Sequence, residues 1–157
     1  TLLGFGASAL LLYIQHDNFA IIETFAYFIL SATLLGLSFT AIAYMISLVA
    51  SEKSKAAGMA LLTWFFFALV FDLALLALLV SADSGLSQSA LTQLMMLNPA
   101  DVFRLVNLAG LDSTDVNGAL AVAINANLTQ GQLLLILLSW VIAPLAMASV
   151  IFKNKKL

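Results

Sequence analysis

Asp72 stands inside an otherwise apolar run from Gly58 to Val80, and it is the first residue of this chain whose chemistry needs explaining. A charged side chain at mid-membrane costs at least about 2.5–3.5 kcal/mol, so such a group is protonated, paired, or turned into a bundle interior. Three roles fit it: a structural hydrogen bond at a helix or dimer interface, a conformational switch, or a proton or ion step. A second group of reactive types lies in Asn98-Pro-Ala-Asp-Val-Phe-Arg-Leu-Val-Asn-Leu108. Asn98 can cap free main-chain amides, Pro99 suits the first helical position, and Asp101 places negative charge at the positive end of a helix dipole. Asp101 and Arg104 are three residues apart and can pair. The third group, Glu52, Lys53 and Lys55, sits in a short polar stretch, where it marks topology or contacts a partner.

Nothing in the sequence makes a catalytic constellation. It has a single histidine, no cysteine, no glycine-rich loop ending in Lys-Ser or Lys-Thr, and no HExxH spacing. Met95 and Met96 are soft thioether ligands in principle, but neighbouring residues on a helix point to different faces and methionine is common packing. His16 reads as a surface histidine. No metal ligand set is therefore expected, and Asn127-Leu-Thr129 matches a glycosylation sequon that matters only in a eukaryotic secretory membrane.

The elements that position these residues are membrane helices. Of the 157 residues 63% are hydrophobic and 9% charged, against about a quarter charged in a soluble domain. The mean hydropathy is +1.10. The net charge of −2 offers no basic face for nucleic acid. The apolar runs are continuous and lack the two-residue alternation of a β-barrel strand, so the predicted class is an all-α, polytopic membrane protein. At about 1.5 Å per residue, the run from 58 to 81 crosses a hydrocarbon core of roughly 30 Å. Further spans are predicted over about 25–50 and 132–152. The run from Thr1 to Ile14 is too short to cross and reads as the end of a helix with more chain before it. Together these make one membrane domain over 1–157.

Two lysine groups orient the domain. Ser51-Glu-Lys-Ser-Lys-Ala-Ala57 and Lys153-Asn-Lys-Lys156 fall on one side if the chain goes out through 58–81 and returns through 132–152. The positive-inside bias makes that side cytoplasmic. In the span over 25–50, Ala32, Gly36, Thr40, Ala43 and Ser47 form a small-residue stripe expected to pack against another helix. Trp64 and Phe65 to Phe67 read as lipid-facing bulk. The loop over 82–131, on the outer side, is longer than a turn needs. Short helices are predicted over Leu86 to Leu97 and Asn98 to Leu108, with Leu97, Val102, Phe103 and Val106 offering an apolar side to the membrane surface, the bundle or a partner. A weaker helix is predicted over Ala119 to Leu128.

Three stretches carry a family resemblance: Ser51-Glu-Lys-Ser-Lys-Ala-Ala-Gly58, Trp64-Phe-Phe-Phe-Ala-Leu-Val-Phe-Asp72, and Leu97-Asn-Pro-Ala-Asp-Val-Phe-Arg-Leu-Val-Asn-Leu108. With the lysine-rich end, they resemble ABC-2 type permeases, specifically those serving nitrous oxide reductase maturation, over roughly residues 25 to 157. The resemblance implies the C-terminal part of a six-helix permease in a bacterial inner membrane. It implies a homodimer bound to an ABC ATPase subunit, which holds ATP and Mg, while this chain binds no cofactor and is not an enzyme. Glu52, Lys53 and Lys55 become candidates for the ATPase contact. Asn98, Pro99, Asp101, Phe103 and Arg104 become candidates for docking a periplasmic β-helical protein that helps build the copper clusters of the reductase. An ABC-2 exporter of unrelated cargo, or a membrane scaffold that docks partners without transport, fits the same residues.

Overall fold

A computed structural model describes residues 6–7, 19–81, 88–109 and 128–154. The short first run apart from residues 6–7, His16, the weak helix over Ala119 to Leu128 up to Asn127, and Lys155 and Lys156 lie outside the described residues. Among those described, every regular element is helical. They are α1 (Phe19–Val49), α2 (Lys53–Phe65), a π-helical turn (Phe66–Val70), α3 (Phe71–Ser81), α4 (Gln88–Met96), α5 (Pro99–Leu108) and α6 (Gln130–Asn154). α1, the continuous rod from α2 into α3, and α6 are each long and apolar enough to cross a membrane.

α1 begins before the predicted residue 25 because Phe19 to Thr24 already joins the helix. In hydrocarbon no water satisfies a hydroxyl, so polar side chains on a span turn back to their own main chain. Thr33 donates to the Ile29 carbonyl (2.7 Å), Ser38 to Leu34 (2.8 Å), Thr40 to Gly36 (2.7 Å) and Ser47 to Tyr44 (2.7 Å). Among the described residues the small-residue stripe is only partly covered: Ala32 and Ala43 are half-buried. Thr40 and Ser47 are exposed, and a Cβ built on Gly36 would meet nothing within 4 Å. The buried face of α1 is instead Ser31, Ser38, Ala41 and Ile42, displaced around the helix, where serine and alanine admit close neighbours.

The lysine stretch is helix rather than loop. Only residues 50–52 connect α1 to α2, because Lys53, Lys55, Ala56 and Ala57 are good helix formers. Glu52 stands at the N-cap in an extended conformation without a side-chain cap, and the Ala56 amide closes on its carbonyl at 3.0 Å. No residue of α2 is buried.

α6 starts with a reciprocal cap. The Thr129 hydroxyl accepts from the Gln132 amide (3.3 Å), and the Gln132 carboxamide oxygen accepts from the Thr129 amide (2.9 Å). Ser31 of α1 meets Asn107, whose neighbour Val106 meets Gln130 at the start of α6. Further along, Leu37, Thr40, Ala41 and Tyr44 share an apolar groove with Val141 and Leu145. α1 and α6 therefore run in the same direction and the α2–α3 rod runs back between their ends. Lys53 and Lys153 consequently lie toward one end of the bundle.

Between the spans, α4 and α5 do not stand away from the bundle. α5 packs against α1, α6 and the π turn. The core gathers Leu75 of α3, Met95 of α4, Leu105 and Val106 of α5, and Leu133 of α6. Burying one such leucine or valine contributes roughly 1.5–3 kcal/mol in water. Burial of these side chains among four helices holds the α4–α5 pair in place.

Candidate functional site

The local sequence of α5 builds a site around a single asparagine. Asn98 is extended, as an N-cap must be, and its Oδ1 accepts from the Ala100 amide at 3.0 Å while Pro99 takes the first helical position. The other half of the same carboxamide faces outward from α5: Nδ2 donates to the main-chain carbonyl of Phe67 at 2.8 Å and to Asp101 Oδ2 at 2.9 Å. Phe67 lies in the π turn, where the hydrogen-bond ladder slips by one residue and the Phe71 amide closes on the Phe66 carbonyl. The Phe67 ring is held edge-on by Trp140 (5.6 Å) and Phe39 (6.3 Å). Trp140 donates its indole N–H to the Met96 carbonyl at 3.1 Å, tying α6 to the end of α4.

One turn into α5, Arg104 joins two carboxylates. Its Nη1 donates to Asp101 Oδ1 at 3.0 Å and, across the interface, to Asp72 Oδ2 on α3. Asp101 is buried, whereas the Arg104 and Asp72 side chains are each 36% exposed. Burial pushes the Asp101 carboxyl up from its ordinary 3.8 to about 7, and the hydrogen bond and charge of Asp72 add to the rise. Arg104 and Asn98 act in the opposite sense. The arrangement holds one guanidinium against two carboxyl groups, one of which titrates near neutrality. It can fasten two helices and exchange a proton. Among the described residues, no side-chain nitrogen or oxygen that is fully buried lacks a partner.

Each residue singled out in the sequence can now be placed. Asp72 is paired, and its partner across the bundle is Arg104, a long-range contact that helical spacing cannot show. The spacing does anticipate the Asp101–Arg104 pair. Asn98, Pro99 and Asp101, read as candidates for a docking surface, are buried within this chain. Phe103 is half-buried, packed on Phe28 at 6.0 Å, and Arg104 keeps its partial exposure. Glu52, Lys53 and Lys55 are exposed, with Lys55 and Glu52 paired at 3.0 Å. Met95 is packed in the core and Met96 beside it is half-buried. Trp64 and Phe65 are exposed as expected, but Phe67 belongs to the site. Its role was not legible because a π turn leaves no mark in the hydrophobic pattern. The contacts of Gln130 with Val106 and of Asn107 with Ser31 also escape sequence reasoning.

A bundle of long apolar helices with paired charges at the helix interface defines a multi-pass membrane protein. The chain belongs to the ABC-2 family of transporter proteins, whose family model matches residues 1–157. The match thus extends beyond the predicted 25–157 to the whole chain. It is 42% identical over 158 residues to a Pseudomonas aeruginosa protein named "Probable ABC transporter permease protein NosY", covering 99% of this chain and 58% of the relative. A Stutzerimonas stutzeri protein of the same name is 40% identical over 158 residues, covering 98% of this chain and 57% of that relative. The chain therefore spans somewhat more than half the length of these curated relatives.

Proposed function

We propose that this chain forms part of the permease subunit of an ABC transporter in a bacterial inner membrane. In this reading it converts ATP binding and hydrolysis by a separate ATPase subunit into conformational change. The observation that carries the proposal is the clasp between α3 and α5, in a chain so similar to two ABC transporter permease proteins. A rod that presents Glu52, Lys53 and Lys55 at one end is joined, roughly 28 Å further along at Asp72, to the helical pair between the spans. Motion applied at the lysine end can reach α5 through that rod.

The lysine end faces the cytoplasm and the ATPase, by the positive-inside bias. The α4–α5 side faces the periplasm, where Phe103 and Arg104 retain surface for a β-helical maturation protein. The permease acts as a homodimer in lipid, and its work serves copper-site assembly on nitrous oxide reductase by moving a sulfur species or passing on mechanical motion. This chain itself holds neither nucleotide nor metal and performs no hydrolysis.

The test is reconstitution of the complete permease with its ATPase in liposomes, following ATP-dependent movement of candidate sulfur compounds. The expected result is transport that requires the permease and falls at least tenfold in Asp72→Asn. ATP hydrolysis with no movement of any compound, and full reductase maturation by Asp72→Asn, would replace this reading with that of a docking scaffold.

A further inference from the structure

The π turn and α5 are joined in a way that assigns the turn a mechanical role. A π turn holds one residue more than the α turn it replaces, so everything beyond it faces about 100° away from where an uninterrupted α-helix would place it. Such turns are rare in isolation and persist where an outside contact compensates them. Here the contact is visible. Asn98, fully buried, donates to the Phe67 carbonyl within the turn, and two residues beyond the turn Asp72 is bound by Arg104. α5 thus grips the rod at the slipped ladder and again immediately after it. In an uninterrupted α register Asp72 would point about 100° away from its present direction and leave Arg104.

We propose that Phe66–Val70 is a two-state hinge, kept in the π form by seated α5 and returning to the α form when α5 lifts, so that α3 turns about its own axis. Seating of α5 and the facing of α3 are then one equilibrium, because whatever favours one α5 position favours the matching register. The turn shifts Asp72 and the exposed row Leu73 and Leu76 together. This device belongs to the bundle itself and does not rest on any cargo or partner.

These 157 residues hold no cysteine, so with any cysteine elsewhere in the protein replaced by serine, single cysteines introduced from Leu73 to Leu78 report α3 alone. Spin labels at these positions, in the whole protein in lipid nanodiscs, give the lipid-exposed face from their accessibility to oxygen. Asn98→Ser keeps a good N-cap but removes the donor to Phe67, and Arg104→Gln releases Asp72. The expected result is an exposed face turned by about 100° in these variants. Deleting Ala68 from the otherwise unchanged chain should leave the face where it was, since an α turn with one residue fewer reproduces the π facing. A face unmoved in both substituted proteins overturns the hinge. So does a turn of about 100° in the deletion protein, which remains a test should a substituted protein fail to fold.

Discussion

Asn98 shows how much one side chain settles. Aspartate or serine at that position would cap α5 equally well, but only a carboxamide also donates to a main-chain carbonyl on another helix and to the carboxylate three residues on. Asp101 is the other residue with more than a local role. Its folded carboxyl titrates near 7 and its unfolded one near 3.8, so the folded state binds the proton more tightly. Its contribution to stability is therefore fully present below the unfolded value and is lost as pH rises through about 7. The Tm of the protein in detergent should accordingly fall between pH 5 and pH 8, by about 2–4 °C for each kcal/mol lost. Asp101→Asn, which keeps the shape without the titration, should flatten that part of the profile. An Asp101→Asn profile with the same slope as the unsubstituted protein would show that the carboxyl is not the source.

At the scale of elements, the α4–α5 pair is fastened by contacts from three neighbours, and Trp140 supplies a hydrogen bond that reaches the end of α4. Replacing it with phenylalanine keeps most of the ring packing on Phe67 but removes the donor to Met96. The expected loss is about 0.5–1.5 kcal/mol for the bond, rising toward 3 if the carbonyl stays buried without a partner. Thermal unfolding with limited proteolysis of the segment around α4 measures it, and unchanged Tm and cleavage rate would contradict the assignment. This is also the scale at which sequence and structure separate. Lengths and apolarity place the spans, and the Asn98-Pro99-Asp101 signature places α5 to the residue, because caps and hydrophobic runs are local physics. The cap formed by Thr129 and Gln132 starts α6 two residues before the predicted 132. What pattern alone could not reveal is the direction in which α5 turns its polar residues. Asn98 and Asp101 look like surface, and they are buried because a displaced carbonyl on the rod receives Asn98, while Asp101 is held against Asn98 and Arg104 of its own helix turn. The small stripe of α1 is a related case: several faces of that helix are small, and among the described residues the face buried most deeply is the one met by α5 and α6.

At the largest scale the described residues form three spans, two running one way and the rod running back, with the α4–α5 pair wedged near the end opposite the lysines. The rod is the least covered of them: α2 buries nothing, and Leu61, Leu62 and Trp64 are at least half exposed. That surface is matched to hydrocarbon or to further helices rather than to water. Coupling through the rod requires both lysine ends to lie on the cytoplasmic side while α5 lies on the other. Single cysteines at Ser54, Asn154 and Ala109, all exposed positions, test this directly in intact cells with a membrane-impermeant maleimide. The prediction is labelling at Ala109 in intact cells, and at Ser54 and Asn154 only after permeabilisation. Labelling of Ser54 and Asn154 from opposite sides, or protection of Ala109 together with both, would contradict the arrangement.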